Sequence, residues 1–217
     1  MEKKTLSRST SSAGRGRTKP ITAQQPRSTN RAAMNKRNHP SGSHYYMDEM
    51  MDKLFTDQLR DIYYAEKLMM RTLHKMAKSA TTEALQESLE SHQEETQRHI
   101  ERLENIFDLL GKKAQTKRCE AMDGLKKETD LLIAETLNGT FTRDVGLIIS
   151  AQKIEHYEIA AYGCLAKLAR TYGMEEIASI LHQTLEEEKS ADEMLTTIAE
   201  DHINVEAGQE FEQEPKG

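Results

Sequence analysis

Glu155 sits in the middle of an apolar helical face, in the run Ala151-Gln152-Lys153-Ile154-Glu155-His156-Tyr157-Glu158-Ile159-Ala160. Three other helical segments place an acid on or beside their apolar stripe: Glu66, Glu95 and Glu188. The spacings His92-x-x-Glu95-x-x-x-His99 and Glu188-x-x-x-Asp192 hold each set on one helical face. A buried carboxylate is costly unless it is neutralised, paired or bound to a metal. Four acids converging at one level repel, and only cations relieve that: Arg, Lys, protons or metal. The inward set contains no Lys, and Arg102, about 20° from Glu95 on the wheel, is the competing counter-ion.

Hard oxygen ligands with a few imidazoles suit iron or manganese. Dimetal carboxylate bundles draw one Glu from each of two helices and a Glu-x-x-His from each of the other two. Here Glu66 and Glu155 are the single acids, and the compound motifs are altered. The candidate ligands of two ions are therefore Glu66, His92, Glu95, His99, Glu155, Glu188 and Asp192, with Gln152, Glu158 and Arg102 behind them.

Each residue also has a plainer reading. Glu66, Glu155 and Glu188 could be members of a buried ion-pair network. Glu158, about 60° aside from Glu155, reads as a solvated or supporting acid. His92 alone would more often be a satisfied core histidine. Asp192 could merely hold a ligand in place, and Glu128 could cap the site from the crossover. His156 and His182 point away from the stripes, and His202 falls near the end of its helix.

Four long amphipathic helices must position these groups. The first, about 48–78, carries Phe55, Leu59, Ile62, Glu66, Met69 and Leu73 on one stripe. The second, about 82–110, carries Leu85, Leu89, His92, Thr96, His99, Leu103 and Ile106, and stops at Gly111. A long connection follows, about 112–140, with a shorter helix between Cys119 and Leu137. The third long helix, about 142–172, carries Val145, Ile148, Gln152, Glu155, Ile159 and Tyr162; after Gly173 the fourth, about 174–202, carries Ile177, Leu181, Glu188, Asp192 and Leu195. Two hairpins joined by one long crossover make an all-α, antiparallel four-helix bundle.

Of the residues, 36% are hydrophobic and 30% charged, with no Trp, which suits long solvated helices better than a β-sandwich. No apolar run is long enough for a membrane span, and no secretory signal is visible. Cys119 and Cys164 lack metal or redox spacing and read as reduced thiols, which points to a cytoplasmic protein. The net charge of −6 divides unevenly: residues 1–44 hold ten Lys/Arg and one acid, so the remainder is strongly acidic. Residues 1–44 read as a disordered tail that is either merely solvated or a non-specific DNA-binding arm. The bundle then occupies 45–203, and 204–217 reads as a disordered acidic tail.

The run Leu54-Phe55-Thr56-Asp57-Gln58-Leu59-Arg60-Asp61-Ile62-Tyr63-Tyr64-Ala65-Glu66-Lys67 resembles the opening helix of the YciE/YciF family of ferritin-like stress proteins. The same holds for His92-x-x-Glu95-Thr96, Ala121-Met122-x-Gly124-Leu125, Gln152-x-x-Glu155-His156-Tyr157-Glu158 and Glu187-Glu188-x-x-x-Asp192. The resemblance covers about 48–203. It implies a ferritin-like bundle, a rubrerythrin-like dimetal centre, a bacterial cytoplasmic setting, a homodimer and a link to stress. Arg98 and Ala191 stand where ferritins and rubrerythrins have the His of Glu-x-x-His, which puts tight di-iron binding and ferroxidase turnover in question.

Overall fold

The structure, a computed structural model, describes residues 47–210; the basic segment 1–44 with its expected DNA contact, and residues 211–217, lie outside them. The amphipathic segments form α1 (Glu49–Ser79), α2 (Glu83–Leu109), α3 (Glu120–Glu135), α4 (Phe141–Thr171) and α5 (Glu175–Ile198). A π-helical turn, Ala199–Ile203, leads into α6 (Asn204–Gln209).

Local chemistry sets the helix ends. The Asp48 carboxylate accepts the Met51 N–H at 2.8 Å and caps α1. Gly111 and Gly173 adopt φ of 64° and 75° just past the ends of α2 and α4. There the N–H of Lys112 reaches the Phe107 carbonyl and that of Met174 reaches Ala169, which satisfies carbonyls the helix leaves open.

The crossover climbs the whole of α1. Lys112 meets Asp52 at 2.6 Å, the Lys117 N–H donates to the Arg60 carbonyl, Tyr64 donates to Asp123, and Lys75 pairs with Asp130. At the far end the buried Asp144 carboxylate accepts the N–H groups of Thr81 and Thr82 at 2.7 and 2.8 Å. Thus α2 and α4 start at the same end and run parallel, while each hairpin is antiparallel. Around the bundle the order is α1, α2, α5, α4, with α3 packed on α1 and α4. This is the ferritin-like one-crossover topology.

Two expectations need correction. Residues 204–210 are ordered against the bundle: α6 is helical, Ile203 before it is buried, and Glu210 accepts the N–H groups of Phe141 and Thr142 at 2.8 and 3.1 Å. The buried face of α4 is also wider than one stripe. Leu147, Ala151, Ile154, Glu158 and Leu165 are buried alongside Ile148, Glu155 and Tyr162, because α4 packs against α1, α3 and α5 at once.

Phe55, Leu59, Leu103 and Phe107 fill one end of the core, and Met76, Leu85, Ile148 and Leu195 fill the other. The polar residues occupy the middle.

Candidate metal centre

At mid-height α1 contributes Glu66, α2 His92 and His99, α4 Glu155 and Glu158, and α5 Glu188; all are buried. They form two groups. His92, Glu155, Glu158 and Glu188 bring ligand atoms within 4.8 Å of one another, and Glu66, His99 and Glu188 do the same. Glu188 belongs to both. Its Oε2 is 3.6 Å from His92 Nε2, and its Oε1 is 3.0 Å from His99 Nδ1. Glu155 Oε1 lies 3.2 Å from His92 Nε2, and Glu66 Oε1 lies 3.6 Å from His99 Nδ1. Glu188 thus turns one oxygen to each group and would serve both if each held a metal ion.

Among the described residues these ligand atoms find ion-pair neighbours but almost no hydrogen-bond partners. Both oxygens of Glu155, Glu158 and Glu188, Oε2 of Glu66, Nε2 of His92 and Nδ1 of His99 are buried with no aligned hydrogen bond. The short His–Glu approaches lie off the N–H direction, so proximity alone does not satisfy the atoms. Buried polar atoms in a fold are nearly always paired. Nine such atoms facing one space fit a bound cation, and four carboxylates would balance the charge of two divalent ions. Only Glu66 Oε1 is otherwise engaged, by the buried Tyr162 hydroxyl that donates to it.

The second nitrogen of each histidine faces an outer acid. His92 Nδ1 lies 3.5 Å from Glu95 Oε2, and His99 Nε2 lies 3.0 Å from Glu187 Oε2. Arg102 grips Glu187 with two bonds of 2.6 and 2.8 Å. Such carboxylate–histidine pairs fix ring orientation and raise ligand basicity.

Electrostatics separates the two rings. Burial pushes Glu158 well above the usual carboxylate range, and Glu66, Glu188 and Glu155 add to the shift. Burial also raises Glu188 to about 8, against the opposing pull of His99. Burial alone would lower the histidines, but the facing acids outweigh it: Glu188 and Glu66 lift His99 to about 10, and Glu155, Glu95 and Glu188 lift His92 well above 6.5. In the outer ring, Glu187 resists its own burial and is held at about 2 by Arg102, Gln183 and His99. The inner groups thus favour any cation, a proton included.

The structure brings together Glu66, His92, His99, Glu155 and Glu188. It does not bring Glu95 into the ligand groups: its side chain is 31% exposed and lies between His92 and Arg98. Asp192 also stays outside, 3.4 Å from the exposed His156. Gln152 donates to Thr196 at 2.8 Å rather than to an acid of the site. Arg102 does not neutralise the inward acids, because Glu187 takes it. Glu158 moves from a supporting place into the ligand group. Glu128 pairs with Lys153 at the surface. Glu187 and Tyr162 are additions. Arg102 has no acid one turn away at 98, 99, 105 or 106, but which acid of another helix it meets is seen only where α2 packs on α5.

Residues 50–208 match the family model described as domain of unknown function DUF892. The chain is 40% identical over 158 residues to protein YciF of Escherichia coli K12, covering 72% of this chain and 95% of that one. Among solved structures, the E. coli stress protein YciF superposes with a TM-score of 0.68 at 39% identity, covering 72% of this chain and 99% of that one. YcfI from Rhodopseudomonas palustris gives a TM-score of 0.66 at 43% identity, covering 68% of this chain and 93% of that one. No helix among the described residues is long and apolar enough to cross a membrane.

Proposed function

The chain belongs to the YciE/YciF family, the domain of unknown function DUF892, and on that footing we propose that it is a dimetal-carboxylate protein of a bacterial stress response. The observation that carries the reading is Glu188, with one oxygen toward His92 and the other toward His99 in a cage of unpaired ligand atoms. His92, Glu155, Glu158 and Glu188 would hold one ion; Glu66, His99 and Glu188 would hold the other. The oxygen-rich donor set with one imidazole per ion suits iron or manganese. When bound, such a pair supplies one-electron steps toward oxygen or peroxide. The chain's own residues bury the ligands away from water and orient both imidazoles through Glu95 and Glu187. Tyr162 holds Glu66 in place. The stress setting is extended from the E. coli relative, which is described as a stress protein.

The test is metal content by inductively coupled plasma mass spectrometry on untagged protein grown with iron and manganese. The expected result is two ions per chain. A metal-free protein that stays folded and refuses added Fe(II) overturns the proposal. It would leave a structural or interaction protein whose inward acids are neutralised by protons and histidine.

A further inference from the structure

The two seams between the hairpins differ. The α1–α4 seam lies under α3. The α2–α5 seam opens into a groove of about 470 Å³ whose inner wall includes His92 and Glu95. Small residues create it: Ser88 and Ser91 on α2 face Ser190 and Ala191 on α5. Farther along, the same seam is shut by the two hydrogen bonds that Arg102 donates to Glu187 and by a third to Thr184 at 3.2 Å. The groove therefore stands over one half of the site, the half that holds His92.

Ala84, Met194 and Ile198 complete a largely apolar lining, and its carboxylates are Glu87 and Glu95. Glu87 is exposed and Glu95 half-buried, with Arg98 3.5 Å from Glu95 outside the groove, and the residues lining the groove include no Lys or Arg. Serine hydroxyls can stand in for water in an ion's shell. Six waters occupy about 180 Å³ at about 30 Å³ each, so the groove has room for a hydrated ion. His92 is only 6% exposed, and its Nε2 is unpaired and 3.2 Å from Glu155. It forms the wall between the groove and the ligand cage. A second groove of about 480 Å³, lined by Leu125, Ile149 and Lys153, carries a cation of its own and none of the unpaired ligand atoms.

We propose that the α2–α5 groove is the port by which hydrated divalent cations reach the buried site. The carboxylates of Glu87 and Glu95 draw the ion along the groove toward His92. The inference rests on the dimetal reading and adds a route to it.

The experiment is anaerobic stopped-flow mixing of the metal-free full chain with Co(II), following the ligand-field absorbance. Ala191→Leu narrows the groove at a residue outside both ligand groups. It should slow loading by about tenfold, the rate equivalent of about 1.4 kcal/mol of barrier, with full final absorbance. Glu87→Lys, at an exposed position, should slow loading about threefold at low ionic strength, and the difference should fade in salt. Ile149→Trp in the second groove should leave the rate unchanged. Full absorbance reached at the wild-type rate in Ala191→Leu and in Glu87→Lys overturns the port while leaving the metal site intact. Slowing by Ile149→Trp alone moves the route to the α3 side and also overturns it. A wild-type chain that takes up no Co(II) overturns the dimetal reading itself.

Discussion

Two buried charge clusters in this bundle are built in opposite ways. At the start of α4, Arg143 is 7% exposed and all its nitrogens are engaged. Nε donates to Thr136 Oγ1 at 3.1 Å, Nη1 to Asn138 Oδ1 at 2.5 Å, and Nη2 to the carbonyls of Ile133 and Thr136. Next to it Asp144 accepts two backbone N–H groups. Three turns on, in the same helix, Glu155 and Glu158 are equally buried and accept nothing. A charge that the fold uses for its own stability comes with partners supplied by the fold. A charge left without partners, at the cost burial imposes, is explained by something the fold does not supply. Burial alone does not separate the two cases, and partner counting does.

The largest expected effect lies at the unpaired cluster. Glu155→Ala combined with Glu188→Ala removes a ligand and the bridge, and metal content should fall from two ions per chain to none. Unchanged stoichiometry by mass spectrometry would sink the ligand assignment. At the paired cluster the effect should be on folding instead. Asp144→Ala leaves the Thr81 and Thr82 N–H groups without an acceptor and should cost about 3 kcal/mol in urea unfolding of the metal-free protein. Metal stoichiometry should be unaffected. If Asp144→Ala lost metal while keeping its stability, the division between the clusters would be wrong.

The helices and their order were legible because each stripe repeats at the helical period and the connections punctuate it at Gly111 and Gly173. Glu66, Glu155 and Glu188 stood out as single acids among apolar neighbours. Glu158 was misplaced for a physical reason. A helix with one neighbour buries one stripe, but α4 packs against several, α1, α3 and α5 among them, so Ala151, Ile154, Glu158 and Leu165 form a second buried line at spacings of three, four and seven. That line is present in the sequence and shows which side Glu158 takes. Glu95 erred in the opposite direction: it lies at the edge of its stripe, and an edge position turns outward when the neighbouring seam is open. The roles of Glu187 and Arg102 depend on α2 meeting α5, which no single-helix pattern contains.

The outer ring gives a smaller effect that sharpens the contrast. Glu187→Gln keeps the shape but weakens the hold on His99, and metal affinity should drop about 10–100-fold with both ions still bound at saturation. Competition with a chromogenic chelator measures this. No change in affinity would mean that Glu187 serves Arg102 alone.

The smallest effect at any one pH is also the one that reverses sign between the two states of the site. In the metal-free chain Glu188 is raised from 4.5 to about 8, and His99 from 6.5 to about 10. Both hold a proton more tightly folded than unfolded. Their contribution to stability is therefore complete below the ordinary values and is lost as pH climbs through about 8 and about 10. Metal competes with those protons for the same atoms, so its affinity should rise over the same range. Urea midpoints of the metal-free protein should fall between pH 5 and 9 while Mn(II) affinity increases. Glu188→Gln should flatten the lower part of the stability slope, because the amide has no proton to lose. The Asp144 cluster supplies the control: its bonds to the Thr81 and Thr82 N–H groups involve none of the inner acids or histidines. An Asp144→Ala protein should lose stability yet retain the slope, and a slope that vanished in that variant would place the pH response at the paired cluster rather than at the unpaired one.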